Sequence, residues 1–354
     1  MRRFLILSIP VLLIFLVASI YYFQSDSYTN YELTEEEEKR ISDNREKQER
    51  KEEDLNRPIE DPVIIKNQGY HEYTLYSKSP DNRWVSYIFS HEVNEENTQD
   101  NWRIKDIKVG DMAEGAPTKN NLDLVDEINI TDSNNTHEYA YKELGSDDHI
   151  GNSHGKEIVE ELKFTLDGEN LDFENEKIYS GNELIISKFS NLYSEIDRGV
   201  QLAEVHIDYH FDSEGLTLNT TTNWIEDVNM EFAWVSLFPF IRGDEQSTMF
   251  RFLNSEEEYD ISKDNTVVPR SDENGGILYN NENDLSVTIE VLDPQNSLNN
   301  YSDNGWAKSF VADSLGANKF YVGRVSGDTS GEGRLVEAGE TWNVEQYWRI
   351  EMPE

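Results

Sequence analysis

The chain has 354 residues, with 71 Asp plus Glu against 31 Lys plus Arg, a formal charge of -40 and no cysteine. Such a field repels a phosphate backbone and argues against nucleic-acid binding. Without thiols there is no disulfide, cysteine nucleophile, Cys-ligated zinc or lipidated N-terminal cysteine.

Residues 4–23, FLILSIPVLLIFLVASIYYF, carry no charge, follow Arg2 and Arg3, and close on Tyr21, Tyr22 and Phe23. At ~1.5 Å rise per residue this run matches a ~30 Å hydrocarbon core, and its basic flank predicts a cytoplasmic start. Residues 1–24 are therefore expected to be a single-pass anchor in the cell membrane, with the C-terminal domain outside the cytoplasm. A cleaved signal peptide is the competing reading; against it, the run exceeds the usual ~7–15 residue apolar region and no A-x-A site follows. Residues 25–64 read as a charged stalk. Within it Glu35/Lys39, Glu36/Arg40, Asp43/Lys47 and Glu46/Arg50 stand at i,i+4 spacing, each pair supporting a solvated helix by ~0.2–0.5 kcal/mol. Apolar positions are too sparse for a coiled-coil seam, and Pro58 and Pro62 end the helical pattern.

From residue 65 to 354 the texture becomes short alternating runs separated by Gly, Asn, Asp and Ser, which predicts one all-β domain. Candidate strands include RWVSYIFSHEV, NWRIKDIKVG, EIVEELKFTLDG, NELIISKFSNLY, VQLAEVHIDYHF, GLTLNTTTNWI, DLSVTIEVLD, NKFYVGRVS and TWNVEQYWRIEM. Turn signals stand at Asp167-Gly168, Ser180-Gly181 and Glu214-Gly215. The run MEFAWVSLFPF, residues 230–240, is apolar on both faces apart from Glu231 and Ser236, so it is placed between two layers, with Pro239 marking its end. The expected architecture is a large antiparallel two-layer β-sandwich.

Two groups of polar residues could carry chemistry. In LAEVHIDYHF, residues 202–211, Ala203, Val205, Ile207, Tyr209 and Phe211 share one side of the strand, and Glu204, His206, Asp208 and His210 share the other. Neighbours i and i+2 lie ~6.5–7 Å apart, so this row offers at most two ligands to a metal and a third must come from elsewhere. A solvated sheet face explains the row with no special assumption, because antiparallel sheets commonly leave one side wet. A ligand groove is the sharper reading, because imidazole, carboxylate and aromatic groups on a concave face suit sugars. Asn223 and Trp224 on the next run extend that groove, Trp224 serving as a stacking platform or as core. The second group, SDDHIGNSHGKE at 146–157, gathers Asp147, Asp148, His149, His154 and Glu157 in one glycine-containing connection. It is either an ordinary surface turn or a site. His154 with Glu157, or His206 with Asp208, could act as general acid and base. Arg349 faces away from the Trp342, Val344, Trp348, Ile350 side of the last strand, toward solvent or a ligand. P-loop, G-x-S-x-G, H-E-x-x-H, EF-hand and dinucleotide fingerprints do not occur. No cofactor is evident, and a divalent cation remains possible.

The order HIGNSHGKE, LKFTLDG, ELIISKFSNLY, VHIDYHFDSEGLTLNTTTNWIEDV and AWVSLFPF resembles the carbohydrate-associated β-sandwich domains of bacterial and phage surface proteins. These are similar in outline to the supersandwiches of galactose mutarotase and polysaccharide lyases. The resemblance implies a supersandwich whose concave face receives sugar, and it carries over only His154 and Glu157, as an H-G-x-E turn. It places no mutarotase acid and base on named positions.

The leading expectation is a membrane-anchored, extracytoplasmic protein that binds cell-envelope or environmental glycan. His154, Glu157 and His206 are its candidate catalytic groups, and Glu204, Asp208, His210, Asn223, Trp224 and Arg349 its candidate substrate contacts. A sugar-active epimerase or lyase and a non-catalytic envelope scaffold are the alternatives. Oligomeric state is left open.

Overall fold

The computed structural model describes residues 34–69, 71–131, 138–173, 177–243, 245–263, 268–294, 308–314, 317–325 and 333–352. The expected membrane segment at 4–23 lies outside the described residues, and no described helix is long and apolar enough to cross a membrane. The chain divides into two compact units, residues 1–57 and Pro58–Glu354.

In the first unit the described element is helix α1, Glu35–Asn56. Thr34 caps it: its hydroxyl accepts from Glu37 N, and its own N donates to Glu37 Oε2 at 3.0 Å. This reciprocal pair satisfies two otherwise orphaned donors, and Glu35 to Glu38 in the first turn complement the helix dipole. Arg45 with Glu49 and Glu46 with Arg50 form i,i+4 ion pairs. No residue of α1 is buried.

The second unit contains β1 (Val63–Gly69), β2 (Glu72–Lys78), β3 (Trp84–Asn94), β4 (Gln99–Met112), β5 (Leu124–Asn129), β6 (Glu138–Glu143), β7 (Glu157–Leu166), β8 (Glu169–Asn170), β9 (Ile178–Gly181), β10 (Leu184–Tyr193) and β11 (Gln201–Phe211). There follow β12 (Leu216–Trp224), β13 (Val228–Phe240), β14 (Met249–Phe252), β15 (Glu258–Asp260), β16 (Gly275–Asn280), β17 (Leu285–Leu292), β18 (Ser309–Ser314), β19 (Ala317–Val325), β20 (Arg334–Val336) and β21 (Thr341–Glu351). The large sheet runs β15-β14-β16-β17-β21-β12-β11-β10-β7-β4-β3-β2-β1-β9, with β5 on β4 and β8 on β7. The smaller sheet is β18-β19-β13-β20 with β6 on β13. Among the described strands pairing is antiparallel except between β4 and β7, which pair in parallel at Gln99↔Glu157 and Asp100↔Ile158.

Around that short parallel junction the large sheet folds onto itself. The Tyr87 ring meets Phe211 edge-on at 5.1 Å and Phe89 meets Tyr209 at 5.2 Å, joining the inner face of β3 to that of β11. The smaller sheet covers the rest: Tyr141 packs on Trp224 and Trp342, Phe238 on Trp348, and Phe320 on Phe250. β13 is buried almost throughout and lies in the smaller sheet, as its two-faced apolarity requires. Pro239 stands at its end: the strand closes one residue later at Phe240, with Pro239 opposite Lys319. Ser180-Gly181, by contrast, is not a hairpin turn, because both residues belong to edge strand β9, where Ser180 pairs with Ile64 and Gly181 with Val63.

Alternation decides which face is wet. On β11 every second residue from Ala203 to Phe211 is at most 2% exposed, while Glu204, His206, Asp208 and His210 face outward. Each fully buried Val, Ile or Phe there contributes roughly 1.5–3 kcal/mol. β12 and β21 continue the pattern: Leu216, Leu218 and Trp224, then Trp342, Val344, Trp348 and Ile350, point inward.

Candidate functional site

The outer face of β10, β11 and β12 carries a cleft of about 570 Å³ lined by Glu160, Phe189, Asn191, Glu204, His206, Thr221 and Asn223, with Ser190 and Val205 at its floor. Strand register sets this group. Asn191 lies opposite Glu204, Glu204 opposite Asn223, Phe189 opposite His206, and His206 opposite Thr221. The Phe189 ring stacks on the His206 imidazole at 4.1 Å with 8° between planes, and Lys163 Nζ lies 5.4 Å from the Phe189 centroid. His206 Nε2 is 3.0 Å from Asp208 Oδ1, an oxygen that also accepts from Ser187 Oγ at 2.5 Å. Asn191 donates to Glu160 at 3.0 Å, and Asn223 Oδ1 accepts from Thr341 Oγ1 at 2.9 Å. The result is a flat ring pair bordered by carboxylates and amides that are already oriented.

Farther along the row, His210 Nε2 lies 3.2 Å from Glu183 Oε2 and 4.0 Å from Asp212 Oδ2. His210 therefore belongs with the strand end and not with the cleft. Arg349, on β21, donates from Nε to Glu351 at 2.5 Å. It meets β17 at Thr288 and is absent from the cleft lining.

Trp224 is no stacking platform for a ligand. It is 1% exposed and packs in the core against Trp342 at 5.1 Å and Tyr141 at 5.5 Å. The end of β12 turns its odd register toward Asn223 and its even register inward, and the apolar indole follows the inner side.

Glu157 is likewise removed from solvent, at 0% exposure. Its carboxylate accepts from Asn152 N at 2.6 Å, Asn101 Nδ2 at 3.0 Å and Ser190 Oγ at 2.6 Å, and it pairs with Lys188 Nζ at 3.2 Å. Lys188, also fully buried, donates to Asn101 Oδ1 and to the Trp102 carbonyl, each at 3.1 Å. Buried Glu138 accepts from Ile104 N at 3.1 Å and from Asn152 Nδ2. Burial pushes the Glu138 carboxyl up despite nearby Lys188, and it pushes the Tyr139 and Tyr209 hydroxyls well above their ordinary value. Arg103 closes the group with a bidentate pair to Glu92, 2.9 and 2.8 Å. Glu157 with Lys188 and Arg103 with Glu92 are ion-paired and Glu138 is held by hydrogen bonds, which makes the group a structural tie between β4, β6, β7 and β10.

The glycine-containing connection is bolted to this tie. Asn152 opens a one-turn 3-10 segment, Asn152–His154, and Gly151 and Gly155 flank it with φ of 89° and 80°. A Cβ on Gly155 would stand 2.3 Å from the Asn97 side chain, so no other residue fits there. His154 does not pair with Glu157. Its Nδ1 lies 3.6 Å from Asp148 Oδ1, and its ring is 4.9 Å from that of His149. Burial, reinforced by each other's proximity for His154, holds both imidazoles below their ordinary range, His154 at about 4. The turn and β11 are not brought together as one pair of histidines: His154 sits with Asp148 and His149, and His206 with Phe189 and Asp208.

Several residues of these groups were not predicted from sequence, although signals exist. In LIISKFSNLY, Lys188 occupies the register of Leu184, Ile186 and Leu192, and a charge in an apolar register marks a buried partner. Phe189 occupies the polar register, and an aromatic ring on a wet face marks a contact surface. Glu138, Asn101 and Asn152 carry no comparable mark.

No family model and no curated protein matches the chain. Among solved structures, it is similar to the crystal structure of a galactose mutarotase-like protein from Clostridium acetobutylicum, at 11% identity with a TM-score of 0.40, over 83% of this chain and the whole of that one.

Proposed function

We propose that the second unit binds carbohydrate in the outer-face cleft of β10, β11 and β12. The observation that carries this reading is the Phe189–His206 ring stack beside Glu160, Asn191, Glu204 and Asn223. A sugar presents C–H faces and hydroxyls together; ring faces cover the former while carboxylates and amides accept and donate to the latter. An open cleft of this kind makes few contacts per sugar unit, so millimolar to micromolar affinity is expected, roughly -4 to -8 kcal/mol. Residues 4–23 would hold the unit at the cell membrane, outside the cytoplasm, in reach of envelope or environmental glycan.

Glycan arrays followed by calorimetry test the proposal. Binding to at least one oligosaccharide, weakened in Asn223→Ala and Phe189→Ala, is the expected result; no binding to any glycan at any ionic strength defeats it. Protease protection of intact cells tests the orientation, with cleavage of the second unit from outside as the expected outcome. Acid–base chemistry on a bound sugar is the second reading, favoured by the 3.0 Å contact between His206 and Asp208. Turnover that survives both His206→Ala and His154→Ala removes these histidines from any such mechanism.

A further inference from the structure

We propose that Asp148, His149 and His154 form a binding site for a zinc ion, separate from the cleft and independent of its function. One carboxylate oxygen and one nitrogen from each imidazole lie within 4.8 Å of one another. His154 Nδ1 stands 3.6 Å from Asp148 Oδ1. Tetrahedral zinc with bonds of ~2.0–2.1 Å keeps its ligand atoms ~3.3–3.4 Å apart, so small side-chain rotations close the set. Two imidazoles select a late transition ion over Mg²⁺ or Ca²⁺, which take oxygen ligands. Three protein ligands leave the fourth tetrahedral position to solvent or an incoming group.

The backbone that carries these ligands is fixed before any ion arrives. Ile150, between Asp148-His149 and the glycine turn, is fully buried and exchanges both backbone hydrogen bonds with Tyr141, at 3.0 and 2.7 Å. On one side of it Ser146 Oγ donates to the Asp148 carbonyl at 2.8 Å, and His149 N donates to Asp148 Oδ1 at 2.8 Å. On the other side Asn97 Nδ2 donates to the His154 carbonyl at 2.6 Å, and Asn152 is locked to Glu138 and Glu157. Such support gives an ion a preorganised site rather than three mobile side chains. The surrounding charge is mixed. Lys142 is held by Glu231 at 3.2 Å, which offsets it, while Lys319 on β19 opposes a cation.

The test uses the full chain in mild detergent, stripped with EDTA and titrated with zinc chloride by calorimetry. One zinc per chain at micromolar affinity is expected, weakened at least ~10-fold by His149→Ala and by His154→Ala. His71 and His91, whose Nδ1 atoms lie 3.0 Å apart, are the competing imidazole pair, so His71→Ala should leave the titration unchanged. Because exposed Asp148 can be changed without touching the core, Asp148→Asn supplies a variant whose folding is not at risk; it too should weaken binding. Substitution of Co²⁺ for zinc should give the strong visible absorption of a tetrahedral ion, lost in His154→Ala. Affinity weaker than millimolar, loss of binding in His71→Ala alone, or undiminished binding in His154→Ala and Asp148→Asn overturns the proposal.

Discussion

Two groups of charged and polar residues adjoin strand β10 and differ in almost everything else. On the outer face of β10 to β12, Glu204, His206 and Asn223 meet water in a cleft, with Asp208 bonded to His206 beside it. On the inner side, Glu157, Lys188 and Asn101 are fully buried and bonded to one another, and buried Glu138 joins them through Asn152. The outer groups are spare: removing one exposes nothing and costs little. The inner groups are obligate, because a buried charge that loses its partner keeps its desolvation cost. Residue type therefore does not separate function from architecture in this molecule, whereas burial and partner count do.

The largest effect that sharpens this contrast is expected for Glu157→Ala, which strands the Lys188 ammonium and should lower unfolding stability by ~3–5 kcal/mol in urea titrations. Replacing the pair together, Glu157→Gln with Lys188→Met, removes the stranded charge while keeping an acceptor for the buried donors and should recover part of that loss. A single substitution that costs under about 1 kcal/mol would break the distinction between obligate and spare groups. Next comes Gly155→Ala. Its φ of 80° with ψ of -159° suits glycine alone, and the new methyl would meet Asn97; a cost of at least ~1–3 kcal/mol should appear as a lowered melting temperature.

On the outer row, Phe189→Ala should weaken glycan binding about 10-fold, ~1.4 kcal/mol, with a smaller change in stability than either inner variant. Calorimetry and melting on the same sample check both halves of that statement. The finest test is a slope. Burial raises the Glu138 carboxyl above 4.5, so between that value and its native one the folded protein holds a proton that the unfolded chain releases. Stability from this group consequently falls as pH rises through that window. Glu138→Gln carries no such proton, and urea midpoints of the variant should vary less with pH than those of the parent; a steeper variant profile contradicts the burial account.

How far these regions were legible beforehand can be followed residue by residue. The helix after Thr34 and the face assignment of β11 follow from short-range spacing: i,i+4 charge pairs in one case, strict alternation in the other. The early strands β1 and β2 and the short β14 to β16 carry weaker alternation and were not among the expected runs. Of the expected groove, Glu204, His206 and Asn223 line the cleft. Trp224 and Glu157 went inward, because the layers that cover them, β6 with Tyr141 and the turn with Asn152, come from 83 and 5 residues away in the chain. His154 found Asp148 in preference to Glu157, since the 3-10 turn at Asn152–His154 reverses the chain before β7 begins.

Period-two patterning is a local property of an extended chain, so it determined that this protein builds strands with one apolar and one polar side, preceded by a solvated charged helix. Only the packed layers decided which polar side chains would be sealed into an internal tie and which would stay at a cleft. Burial is the sum of contacts made by distant segments, and a strand's own residues do not record which neighbour will cover them.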